Sequence, residues 1–123
     1  ARIRVSDRSN MRESIYATGL PFSGTPDLPA TLRDLETLLP ACAGVRRWGT
    51  ASLDLTYVAT GRYDGFWERD LKIWDTAAGI VIAREAGAIV EGINTEKSAE
   101  KTGDVICAPA VQFDAFAKLI RAS

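Results

Sequence analysis

Glu68 and Asp75 are two carboxylates seven residues apart, and they flank the passage from a short aromatic strand to a helix. Side chains so placed can project into one cleft. Hard cations such as Mg2+ take oxygen ligands of this kind, with water and substrate phosphate completing the shell. The same spacing is met by a first-turn acid at Asp75, favoured by the helix dipole, and by a solvated strand end at Glu68. On spacing alone these are the simpler readings. A second junction, Trp48-Gly49-Thr50-Ala51-Ser52, turns a strand into a helix through a glycine. There the backbone can approach a ligand, and a helix N-terminus favours an anion or a hydroxyl; a plain cap by Thr50 or Ser52 gives the same pattern. Asp54 lies inside an otherwise apolar helix with Arg46 and Arg47 on a strand close by. It reads as part of an internal ion pair or polar network, because an unpaired buried charge is expensive.

Composition narrows the chemistry. The 123 residues suit one compact domain or part of one, with 46% hydrophobic and 25% charged residues, a balance that disfavours disorder. Fifteen basic and 16 acidic side chains leave a net charge of -1, so neither a nucleic-acid backbone nor an anionic membrane surface has electrostatic support as a partner. The absence of histidine excludes a Ser-His-Asp triad and a histidine-ligated zinc. Chemistry must therefore run on carboxylates, hydroxyls and backbone. Cys42 and Cys107 form no C-x-x-C pair and read as reduced, buried thiols of a cytoplasmic protein. No apolar run reaches membrane-spanning length. The start, Ala1-Arg2-Ile3-Arg4-Val5, lacks an initiator methionine and a signal-peptide pattern and reads as cut from something longer.

The elements that must position these groups follow from periodicity and punctuation. Residues 14–18 are β-prone and stop at Gly19-Leu20-Pro21. Leu28, Leu32, Leu35 and Leu38 or Leu39 recur at helical spacing and are expected to face inward until Pro40 closes the helix. A strand is expected at 45–48, then a helix from the Gly49 turn to about Thr60, with Gly61 as its left-handed cap. Phe66-Trp67-Glu68 forms the next strand, and Trp74-Asp75 opens a third helix. Apolar residues from Ala77 to Ala86 cover most of that helix's circumference, so burial on more than one side is expected. Strands at 87–90 and 104–108 follow, separated by a polar loop, and a last helix carries Phe113, Phe116, Leu119 and Ile120 on one face. Alternating strands and helices imply a three-layer α/β/α sandwich on a mostly parallel sheet of about five strands. In such sheets ligands lie beyond the carboxyl ends of the strands.

The run Trp74-Asp75-Thr76-Ala77-Ala78-Gly79, continuing to Glu85-Ala86-Gly87-Ala88, resembles the C-terminal signature of the inositol monophosphatase family, magnesium-dependent and lithium-sensitive phosphatases. The stretch from Arg46-Arg47-Trp48-Gly49-Thr50-Ala51-Ser52 through Gly65-Phe66-Trp67-Glu68 is similar to the same family in order and spacing, as is Ala17-Thr18-Gly19-Leu20-Pro21-Phe22. The resemblance implies that Asp75 is a metal ligand close to a substrate hydroxyl, and that Glu68 bonds the hydroxyls of a polyol. Gly49, Thr50 and Ala51 would hold the ring. It further implies a Mg2+ cofactor, a metal-bound water attacking phosphorus, a phosphate-ester substrate and a homodimer. The family's other metal ligands sit on an Asp-Pro-x-Asp-Gly-Thr motif, which is absent here. The resemblance thus points to residues 1–123 as the second domain of such an enzyme, without the N-terminal metal-binding domain and inactive alone. Relatives acting on histidinol phosphate, fructose bisphosphate or a phosphoadenosine nucleotide fit the same motifs. So does a non-catalytic α/β binding module. Ala88, where a second glycine is usual, and the loop from Glu91 to Gly103 depart from the family pattern away from the expected site.

Overall fold

The structure, a computed structural model, describes residues 3–18, 28–46, 51–69, 77–94 and 104–122, with the backbone alone at 28 and 51–53. Strand β1 is Ile15–Thr18, helix α1 Leu28–Leu38, β2 Gly44–Arg46, α2 Ala51–Ala59, β3 Gly65–Glu68, α3 Ala77–Glu85, β4 Ala88–Gly92, β5 Val105–Pro109 and α4 Ala110–Ala122. They form one sheet in the order β2-β1-β3-β5-β4. β1 pairs in parallel with β2 and β3, and β5 runs antiparallel to both β3 and β4. Four strands therefore point one way, and β5 alone runs against them. Helices α2 and α3 cover one face with Leu55, Val58, Ile80 and Ala83; α1 and α4 cover the other with Leu38, Phe113, Phe116 and Ile120. This is the expected α/β/α sandwich.

Local chemistry explains the boundaries. α1 yields to a 3-10 turn at Leu39–Ala41, where Pro40 cannot continue the helical ladder. α2 closes on Gly61, whose φ of +80° suits glycine, and its N–H donates to the Val58 carbonyl while that of Arg62 reaches Tyr57. α3 ends in the same way on Gly87, φ +105°. Alternation along the strands assigns the cores: Ala17, Phe66, Val105 and Cys107 face α2 and α3, whereas Tyr16, Trp67, Ile106 and Ala108 face α1 and α4.

Three expectations need correction. Leu32 is 53% exposed and Leu39 faces solvent too, while Thr31 and Asp34 are buried beside Leu38. The inward stripe of α1 is rotated because a carboxylate with partners can occupy core. α3 buries Gly79, Ile80 and Ala83 only; Ala77, Ala78, Val81 and Ile82 are exposed. Cys107 is buried and free, but Cys42 is only partly covered. Among the described residues, no helix is long and apolar enough to cross a membrane.

Candidate functional site

The carboxyl ends of the parallel strands lie side by side. Ala17 is in register with both Arg46 of β2 and Phe66 of β3, so Thr18 and Glu68 sit at one edge of the sheet. α2 starts five residues after Arg46, which places its N-terminus and Ala51 at that edge, where the first turn of a helix carries amides without intrahelical acceptors. Glu68, the last residue of β3, is half-buried and directly opposite Val105. Opposed residues of an antiparallel pair share a face, and Val105 belongs to the core under α2 and α3. Glu68 therefore lies on the α2/α3 side. The start of α2 at Ala51 and the end of β3 at Glu68 thus lie towards the same end of the sheet. Gly49, Thr50 and Asp75 lie outside the described residues, as do Trp48 and Trp74.

On either side of Glu68, two residues reach to the opposite layer. The Asp34 carboxylate on α1, with no exposure, accepts from the Trp67 indole Nε1 at 3.0 Å and from Arg69 Nε at 2.9 Å on Oδ2, and from Arg69 Nη2 at 3.0 Å on Oδ1. The fork is the planar, bidentate match of a guanidinium to a carboxylate. Periodicity cannot find this pair, because 35 residues separate its members. At the same edge Arg121 ties the end of α4 to β4 through the Glu91 carboxylate and the Gly92 and Ile93 carbonyls.

The far edge of the sheet is closed by another network. Gln112 Nε2 donates to the Arg8 carbonyl and the Ser14 hydroxyl, and the Tyr16 hydroxyl donates to Gln112 Oε1. Asp64 accepts from the Ile15 amide at 2.9 Å and from Arg8. These groups fasten the N-terminal segment to the core.

Asp54 contrasts with both. It is wholly buried on α2, and among the described residues neither carboxylate oxygen has a hydrogen-bond partner. The expected pairing with Arg46 does not form, for the Arg46 side chain lies at the surface, and Arg47 is outside the described residues. Burial pushes the Asp54 carboxyl up from 3.8 to about 6. Its charge also helps burial raise the nearby Tyr63 phenol.

Among the described residues no three acidic or thiol side chains group closely enough to hold a metal ion. Asp54 is sealed and Asp34 is saturated by its donors, so the described part of the edge does not by itself fit Mg2+. The described residues at that end include the half-buried Glu68 and the start of α2.

A model of the inositol monophosphatase family matches residues 1–123. An inositol-1-monophosphatase of Caulobacter vibrioides is 47% identical over 93 residues, which cover 76% of this chain and 36% of that protein. A Nus factor SuhB of Haemophilus influenzae is 42% identical over 109 residues, 89% of this chain and 41% of its own length. The crystal structure of extragenic suppressor protein SuhB from Bartonella henselae superposes with a TM-score of 0.90 at 37% identity, covering 97% of this chain and 46% of that one. The chain therefore spans less than half the length of these relatives. With the family model matched from end to end and the sheet, helices and ordered motifs in agreement, the chain belongs to the inositol monophosphatase family.

Proposed function

We propose that residues 1–123 act as the second domain of a Mg2+-dependent phosphomonoesterase that hydrolyses inositol monophosphate or a related polyol or sugar monophosphate. The observation that carries this reading is the family match over the whole chain, joined to the placement of Glu68 and the start of α2 at one sheet edge. Glu68 accepts hydrogen bonds from substrate hydroxyls, Gly49, Thr50 and Ala51 line the ring, and Asp75 supplies one carboxylate to the metal and meets a substrate hydroxyl. The other metal ligands come from an N-terminal domain of the same protein. Relatives spanning more than twice the matched length support that division. The enzyme works in the cytoplasm as a homodimer and is inhibited by lithium. Histidinol phosphate, fructose bisphosphate and phosphoadenosine nucleotides are the alternative substrates to assay beside inositol monophosphate.

The test is Asp75→Asn in the full-length protein. It is expected to lower phosphatase activity by about 100-fold or more, with a steeper requirement for Mg2+ and an unchanged fold by circular dichroism. Activity equal to wild type at limiting Mg2+ would remove Asp75 from the metal centre. The 123-residue chain alone is expected to show no turnover. The Haemophilus influenzae relative's name, a Nus factor, supports a second reading, a binding module that keeps the scaffold without hydrolysis. Full-length protein inert towards every ester above would favour it.

A further inference from the structure

The residues flanking Glu68 are held by one carboxylate from another layer. Trp67 and Arg69 both end on Asp34, which is wholly buried on α1. Successive strand residues point to opposite faces, so fixing Trp67 towards α1 turns Glu68 towards α2 and α3. Pairing with Val105 gives Glu68, the last residue of β3, the same face. The Arg69 fork to Asp34 then fixes the backbone one residue further on. A buried ion pair contributes little net stability against apolar residues of equal volume, but it fixes geometry.

We propose that Asp34, clamped to Trp67 and Arg69 on either side of Glu68, is a positioning residue that orients the Glu68 carboxylate and so sets affinity for polyol hydroxyls. This rests on the reading of Glu68 given above. Asp34 touches no substrate. It acts by limiting where the Glu68 backbone can go, and an acceptor displaced by about 1 Å loses most of a directional hydrogen bond.

The experiment compares Asp34→Asn, Arg69→Lys, Trp67→Phe and Glu68→Gln in the full-length protein, with inositol monophosphate and with p-nitrophenyl phosphate, an ester lacking hydroxyls. Arg69→Lys keeps the charge and removes the fork, so it serves if Asp34→Asn does not fold. In each clamp variant that folds, KM for inositol monophosphate should rise about tenfold relative to KM for p-nitrophenyl phosphate, the equivalent of one lost hydrogen bond. Adding Glu68→Gln should then give no further rise, because both changes act through one carboxylate. Two results would overturn the clamp alone: equal losses on both esters, or an unchanged KM in folded Arg69→Lys while Glu68→Gln still weakens inositol monophosphate. Glu68→Gln without effect on either ester would bring down the reading of Glu68 and the clamp with it.

Discussion

Asp34 and Asp54 are both 0% exposed, and they sit on opposite sides of one sheet. Asp34 accepts three hydrogen bonds from Trp67 and Arg69, whereas Asp54 has no hydrogen-bond partner among the described residues. Among the described residues the buried polar side chains of the α1/α4 side have partners, and Tyr16 packs against Phe116 with ring centroids 4.4 Å apart. The α2/α3 side holds the carboxylate of Asp54, which has no hydrogen-bond partner among the described residues; apolar side chains reach solvent on both sides, Val81 and Ile82 here and Leu32 and Val111 on the other. Among the described residues, the buried carboxylate without a hydrogen-bond partner is thus on the face that carries the candidate site. Natural folds give up local consistency where function, not stability, has set the residue.

The contrast breaks most visibly at Asp34. Asp34→Ala strands a mostly buried guanidinium and an indole N–H, and should destabilise the protein by about 3–5 kcal/mol in urea denaturation. A loss below about 1 kcal/mol would mean that the clamp is not intact in solution.

Asp54 should behave in the opposite sense. Its folded value of about 6 lies above the ordinary 3.8, so between these pH values the folded state keeps a proton that the unfolded chain has released. Stability from this group is complete below the unfolded value and is lost as pH rises through the folded one. Asp54→Asn does not titrate. Its stability relative to wild type should therefore climb by something of order 3 kcal/mol between about pH 4 and pH 7, and stay level above. A difference that is flat with pH would show that Asp54 has found a partner.

Most of the scaffold can be read from local signals. Gly61 and Pro40 end helices for steric reasons that act within a few residues, and the apolar stripe of α4 has the right period. The direction of β5 is different. Strand propensity marks residues 104–108 without fixing the way they run, and β5 lies antiparallel to both of its neighbours in an otherwise parallel sheet. The inward face of α1 was hidden because hydrophobicity cannot rank Leu32 below Asp34; the partners that bury Asp34 come from β3 and the residue after it. The many-sided burial expected of α3 failed for the reverse reason: apolar residues record that some surface is covered, not that this chain covers it. At the candidate site, Glu68 and Ala51 could be placed by their strand end and helix start. Roles for Gly49, Thr50 and Asp75 rest on the family motif, for single carboxylates and glycines carry no distinguishing period.

A smaller effect tests how tightly the closed side is filled. A Cβ on Gly65 would stand 2.8 Å from Tyr16 Cδ1 and 3.0 Å from Phe116 Cε2. Neither ring can yield easily, since the two are stacked and the Tyr16 hydroxyl is tied to Gln112. Gly65→Ala should cost about 1–3 kcal/mol as overpacking, read from the midpoint of thermal unfolding. A neutral result would place slack on the face described as closed.

The smallest change is expected on the open side. Val81 is 56% exposed on α3, beside Ile82 at 36%, while Ile80 one position earlier is 2% exposed. Valine and serine have similar helix propensities, so Val81→Ser isolates the burial of this one side chain. With more than half of its surface already in water, stability should change by less than about 0.5 kcal/mol. A loss above about 2 kcal/mol that grew with protein concentration would mean that the α3 stripe is covered in solution by another molecule. The two sides of the sheet would then differ in whose residues complete them, and not in whether they are complete.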